Sequence, residues 1–188
     1  MLWLVPNYFV EIHFISMKTK FKNIETNTIG MLPDVGDFAP NFTLVDSNLY
    51  DIALEDFLGT QLILNIFPSL DTSVCAMSVR KFNSIVGNIK NTAVLCISKD
   101  LPFAQKRFCS TEGLSKVITL SDCRPESTFG KDYGVMIIDG ALRGLFARAI
   151  LVLSENGKVL YSKLSKEITE EPNYNAVLEA IYTQSVDE

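Results

Sequence analysis

Histidine is almost absent from this chain: the single residue is His13. No two of the four cysteines, Cys75, Cys96, Cys109 and Cys123, are spaced as CxxC. Separated thiols would have to converge without the usual local knuckle, so no structural zinc site and no other metal is expected. The glycine-rich GxGxxG fingerprint is missing, as is the GKS or GKT of a phosphate loop, which leaves no case for a nucleotide; no cofactor is expected. No apolar run reaches the roughly eighteen residues of a membrane-spanning helix. Basic residues form no cluster beyond Lys18, Lys20 and Lys22, and 17 Lys plus Arg against 22 Asp plus Glu give a net charge of −5. Nothing in that balance attracts nucleic acid or a membrane surface.

What remains is enough for one compact domain: 188 residues, 47% hydrophobic and 21% charged. A chain of this length buries roughly 70% of its unfolded surface without staples, so a framework of structural disulfides is not required. The opening "MLWLVPNYFV" is apolar, but no basic residue precedes it, Pro6 and Asn7 interrupt it, and no small-residue cleavage site follows. Residues 1–16 therefore read as an unstructured or mis-assigned extension ahead of a start at Met17, and 17–188 as the domain. The expected location is cytoplasmic, with a periplasmic or secreted protein as the alternative if the opening is an export signal.

The pattern along the chain alternates. "KTKFKNIETNTIG" predicts an exposed N-terminal hairpin ending at Gly30, and "FTLVD" a short strand that "YDIAL" either pairs with or leaves for the next element. "QLILNIF" (61–67) is short and continuously apolar, as a central strand covered on both faces should be. After the turn chemistry of "PSLDTS" a helical period begins at Ser73, with Val74, Ser78, Phe82, Ile85 and Val86 on one face. "TAVLCIS" and "KVITLSD" predict two more strands, with a short helix opened by Asp100 and Pro102 between them. "ALRGLFARAILVLSENGKVLYSKL" predicts a long strand and a hairpin turned at Asn156–Gly157, and Pro172 starts a last helix carrying Tyr174, Val177, Leu178, Ile181 and Tyr182 on one face. The sum is an α/β layered sheet.

Cys75 falls where such a fold binds ligands, at the corner between a buried strand and the next helix. If Thr72 is the N-cap, Cys75 is N3, beside amide hydrogens that stabilise a thiolate; if Asp71 is the cap, the register moves by one residue and the geometry weakens. The plain alternative is a small hydrophobe packed beside Val74 and Val79. Arg80 raises the phosphatase arrangement of cysteine and arginine, but the interval is one residue short and lacks glycine, so no anion cradle forms.

"FPSLDTSVCAMSVRKFN" resembles the active-site segment of the thiol peroxidases, or scavengases, the atypical two-cysteine branch of the peroxiredoxins. The peroxiredoxin pattern of proline, threonine and cysteine is met by Pro68, Thr72 and Cys75, and the resemblance continues through "VLCISKDLPFAQKRFC", "VITLSD", "YGV", "GLFARAILVL" and "EITEEPNY". The resemblance implies a thioredoxin-like fold, a central mixed β-sheet flanked by helices, and a homodimer. It implies Cys75 as peroxidatic thiol, Cys109 as resolving thiol in the same chain, a redox-active disulfide between them, and Arg148 completing the site with Thr72. Pro68 would wall the sulfur from water. The function implied is thiol-dependent reduction of hydrogen peroxide and organic hydroperoxides through a sulfenic acid and the Cys75–Cys109 disulfide, with thioredoxin restoring both thiols, in antioxidant defence. Phe67, Leu70, Met77 and Phe146 are either an apolar lining for organic peroxides or simply core. Cys96 reads as core and Cys123 as incidental. The alternatives are a redox-sensing module of the same fold that passes oxidation to a partner, and a general disulfide oxidoreductase, which the absence of CxxC disfavours.

Overall fold

The structure, a computed structural model, describes residues 16–87 and 89–183. Residues 1–15 of the expected extension lie outside that range, while Ser16 already forms a bridge with Gly30. A seven-stranded mixed sheet runs in the order β4 (Asp51–Ala53), β3 (Thr43–Asp46), β7 (Val117–Ser121), β6 (Thr92–Ser98), β5 (Gln61–Ile66), β8 (Ala149–Leu153), β9 (Val159–Leu164). It is the thioredoxin-like arrangement, with helices α1 (Ser73–Val86), α2 (Pro102–Glu112), α3 (Phe129–Asp132) and α4 (Tyr174–Thr183) packed against it. A separate N-terminal hairpin pairs β1 (Lys18–Phe21) with β2 (Ile24–Asn27). Among the described residues no helix is long and apolar enough to cross a membrane.

The apolar run of β5 is explained by its neighbours. Leu62, Leu64 and Ile66 point into the core under α3, while Ile63 and Phe67 point into a second core beneath α1 and α4. Period-two alternation with both faces buried leaves no polar side except Asn65. Each such side chain contributes about 1.5–3 kcal/mol by leaving water. β6 lies parallel on one side of β5 and β8 antiparallel on the other, which fixes where β5 ends and what stands opposite its last residue.

Three expectations change. The buried face of α1 keeps Ser78, Phe82 and Val86 as expected but widens to Cys75, Ala76 and Val79, whereas Val74 and Ile85 are only half-buried. The long strand from Ala141 shrinks to β8, because residues 141–145 form turns and the extended pairing with β5 begins only at Ala149. The last helix begins at Tyr174, after Pro172, with Asn173 Oδ1 accepting from Ala176 N at 3.1 Å, and Tyr182 faces solvent. "YDIAL" does pair with β3, as β4.

The N-terminal hairpin is stitched to a distant segment. Its turn residues Lys22 and Asn23 have φ of 53° and 67°, and their amides donate to Glu167 at 3.1 and 3.0 Å. Alongside, Thr19 Oγ1 donates to Ser165 O, Lys20 N to Lys166 O and Ile168 N to Lys20 O. Burial alone would raise the Glu167 carboxyl, but amide donors from Asn23, Thr169 and Lys22, with the Thr169 hydroxyl, outweigh it and hold the group down at about 2. A depressed carboxyl stabilises the fold above its ordinary value of 4.5, and that contribution disappears as pH falls towards 2. Glu167→Gln should therefore be less stable than the parent at pH 7 by about 1 kcal/mol, discounted for solvent screening. The gap should close between pH 5 and pH 2–3 in urea titrations; a gap independent of pH would refute the assignment.

Candidate active site

β5 ends at Ile66, and Phe67 N makes the last sheet-like bond, to Ile97 O at 3.1 Å. The buried Pro68 then turns the chain away, since its ring offers no N–H to continue the ladder. Thr72 is the N-cap of α1 with extended φ and ψ of −102° and 141°, which puts Cys75 at N3. No side chain caps the helix: Thr72 Oγ1 donates to Ser69 O at 3.1 Å instead. The first-turn amides of α1 are thus not taken up by the capping residue and face the sulfur's end of the helix.

Cys75 is 1% exposed, so it does pack in the core with Val79 and Phe82. It is also met by a cation. The register Ile66↔Ala149 sets Arg148 beside the point where β5 ends. Its Nη2 donates to Cys75 Sγ at 3.1 Å and its Nε to Ile168 O at 2.9 Å, while Nη1 has no partner among the described residues. Arg148 is itself 1% exposed and forms no ion pair with a carboxylate among the described residues. Burying a guanidinium this way costs several kcal/mol unless a negative group answers it, and the group in reach is the sulfur. Tyr174 stands nearby; burial, then its bond to Glu171, pushes its phenol up, and the charge of Arg148 acts the other way.

The other thiols differ in surroundings. Cys96, on β6, is fully buried and its thiol is pushed up to about 12 by burial, with the Asn65 amide opposing weakly at 3.7 Å. Cys109, on α2, is partly buried; burial raises it and the Thr119 hydroxyl lowers it. Cys123 is exposed. All four are free thiols. Arg80 points away from Cys75 and grips Glu112 of α2 with two bonds of 2.8 Å, so the phosphatase-like cradle does not exist. Phe67, Leu70 and Phe146 are core, and of the apolar candidates Met77 alone is exposed.

The structure brings together Cys75, Thr72, Pro68 and Arg148 on one corner, and holds Cys109 on the helix next to α1. The Thr72 hydroxyl donates to Ser69 O, which leaves its oxygen free to accept from a ligand. Sequence reasoning missed two groups. The Ile168 carbonyl orients Arg148, and no side-chain signal marks it. Asp100 was read as a helix opener, whereas α2 is capped at Leu101 and the Asp100 carboxylate binds the loop before Cys75.

Comparison with known proteins shows the family. A family model described as Redoxin matches residues 34–178. A thiol peroxidase of Corynebacterium glutamicum is 52% identical over 164 residues, spanning 87% of this chain and 98% of that protein. A thiol peroxidase of Mycobacterium bovis is 52% identical over 155 residues, spanning 82% of this chain and 92% of that one. Among solved structures, a peroxiredoxin-like protein from Aquifex aeolicus superposes with a TM-score of 0.83 at 37% identity, over 88% of this chain and 96% of that one.

The separation of the two bulk thiols is directly measurable. Mass-resolved labelling of the reduced protein with N-ethylmaleimide at pH 7 should modify Cys123 at once and Cys96 only after denaturation; prompt labelling of Cys96 in the folded protein would contradict its burial.

Proposed function

Since the chain belongs to the redoxin family, and within it to the thiol peroxidases, we propose that it reduces hydrogen peroxide and organic hydroperoxides with Cys75 as the attacking sulfur. The observation that carries this reading is the Arg148 guanidinium, buried, 3.1 Å from Cys75 Sγ, and facing no carboxylate among the described residues. The thiolate is the nucleophilic form of cysteine, and a fixed neighbouring cation with helix-start amides favours it.

The sulfur attacks one peroxide oxygen in line with the O–O bond. The S–O bond forms as the O–O bond breaks, and the departing oxygen leaves as hydroxide or alkoxide and takes a proton from solvent. Arg148 Nη1, without a partner among the described residues, is the donor available to that developing charge, and one such donor is worth about 2.7–4 kcal/mol in the transition state. Thr72 Oγ1 accepts the peroxide O–H and so orients it. Pro68 closes one wall without offering a competing donor.

The product is a sulfenic acid on Cys75. Cys109 attacks it, the S–S bond forms, and the sulfenic oxygen departs as water. An external dithiol, in this reading thioredoxin, then exchanges with the disulfide, leaving both protein thiols reduced and its own pair oxidised. A homodimer and a cytoplasmic location belong to the same reading. Burial raises the Cys109 thiol in place, so its release from α2 both brings it to Cys75 and restores its reactivity.

A disulfide needs Cα atoms about 4.4–6.8 Å apart, and both cysteines are free and packed on separate helices. We therefore infer local unwinding of α1's first turn or of α2 on oxidation. α2 is the weaker element: only Pro102 and Gln105 are fully buried along it, and Phe103 is 66% exposed. The Arg80–Glu112 pair, with Arg80 over the Phe108 ring at 5.9 Å, restrains it.

Rapid-quench mass spectrometry tests both steps. Cys75→Ser should abolish peroxide consumption. Cys109→Ser should allow one turnover and stall at the sulfenic acid, and continued thioredoxin-driven turnover in it would overturn the disulfide step. Arg148→Ala should slow oxidation by about 10²–10³-fold. Arg80→Ala should leave oxidation of Cys75 unchanged but quicken disulfide formation about twofold to fivefold, the equivalent of an exposed pair worth up to 1 kcal/mol. An unchanged disulfide rate would remove the restraint from the account.

A further inference from the structure

We propose that Asp100 is the positioning residue of the peroxide site: its carboxylate fixes the loop from Pro68 to Thr72 that aims the start of α1 at the reacting sulfur. The inference rests on the peroxidase reading for its kinetic consequence, but its structural basis is independent of it.

After Phe67 the loop has no sheet partner, and its hydrogen bonds converge on one group. Leu70 N donates to Asp100 Oδ2 at 2.7 Å and Ser69 Oγ to Asp100 Oδ1 at 2.7 Å. Ser69 then serves the rest: its Oγ accepts from Asp71 N at 3.2 Å, and its carbonyl accepts from Thr72 N at 3.2 Å and Thr72 Oγ1 at 3.1 Å. The chain of contacts therefore runs from Asp100 through Ser69 to Thr72, the N-cap whose carbonyl receives Ala76 N at 2.9 Å and whose placement sets Cys75 at N3.

Asp100 is firmly anchored in turn. Ser98 Oγ donates to its Oδ2 at 2.8 Å, and its own carbonyl accepts from Ser121 Oγ at 2.6 Å, tying it to the ends of β6 and β7. Gln105 of α2 reaches the same cluster, with Nε2 3.3 Å from Ser98 Oγ and 3.0 Å from Leu120 O. The simpler role, capping α2, is not the one Asp100 performs, because Leu101 occupies the cap and no side chain caps that helix. Nor does it serve by charge: the nearby Lys99 pairs with Asp122 at 3.0 Å, and a second negative group near a thiolate would only oppose it. What the carboxylate supplies is a pair of acceptors at fixed positions.

Geometry then predicts the variants. Asp100→Ala removes both acceptors and should slow single-turnover oxidation of Cys75 by hydrogen peroxide about 100-fold, as misplacement of reacting groups by about 1 Å does. Asp100→Asn keeps one oxygen for Leu70 N and presents an amide that the Ser69 hydroxyl can turn to accept from, so it should recover to within about fivefold of the parent. Ser69→Ala should fall about tenfold, and the double variant Asp100→Ala with Ser69→Ala should be no slower than Asp100→Ala alone, because both act through one path. Multiplying effects, or parental rates in Asp100→Ala and Ser69→Ala, would overturn the proposal.

Amide hydrogen exchange on the same reduced proteins reads the loop without any reaction. Asp100→Ala should speed exchange at Leu70, Asp71 and Thr72 by more than about tenfold, and Asp100→Asn by less, with β5 and β6 unchanged. Retained protection there overturns the role of Asp100 even if peroxide is consumed normally. A parent protein inert to peroxide would instead overturn the peroxidase reading, while faster exchange in the variants would still support Asp100. Should Asp100→Ala not fold, Asp100→Asn and Ser69→Ala decide the question by the same two measurements.

Discussion

The structure depends on one contact: a buried guanidinium that donates to a buried sulfur and meets no carboxylate among the described residues. A carboxylate beside Arg148 would satisfy the cation and leave Cys75 an ordinary packed thiol. Instead the arginine is held by backbone groups that carry no net charge. Ser165 N donates to the Arg148 carbonyl at 2.9 Å, and the Ile168 carbonyl accepts from its Nε. The segment 165–168 is in turn clasped by β1 and by the hairpin turn through Glu167. The hairpin, which takes no part in the main sheet, is thus bonded to the segment whose Ile168 carbonyl receives the Arg148 Nε.

The same economy separates the cysteines. Cys75 and Cys96 are equally hidden from solvent, and burial is not what distinguishes them. Cys96 faces an amide across 3.7 Å, too weak to answer desolvation, and remains a neutral filler of the sheet. Cys75 faces a full charge and the open end of a helix. A thiol's chemistry is decided by its nearest dipoles, so a count of exposed cysteines would have selected Cys123, the residue with no machinery around it.

Much of the fold and part of the site were legible in the sequence. Short apolar runs gave β5 and β6 their limits, and the turn chemistry of "PSLDTS" with Thr72 placed Cys75 at N3, because strand ends and helix starts are local matters. The extension of the buried face of α1 to Cys75, Ala76 and Val79 was not legible: the period permits neighbouring faces, and the choice follows from which side chains meet Ile63, Val94 and Val152 across the sheet. Arg148 came from resemblance, since an arginine before an apolar strand carries no sign of a sulfur 73 positions earlier. Asp100 was misread for the opposite reason. Its local pattern with Pro102 is a genuine helix-opening signal, and only the fold reveals that a loop thirty residues upstream competes for the same oxygens and wins.

The buried charge of Arg148 has a further consequence for the energetics of the proposed cycle. A sulfur in covalent union with another sulfur carries no charge, so any stabilisation that Arg148 gives a Cys75 thiolate would be lost in the proposed disulfide. That loss would oppose the bridged form and shift its midpoint potential towards easier reduction. On this reading the chain would surrender its disulfide readily to a donor, and the arginine proposed to help start each turnover would also help to end it.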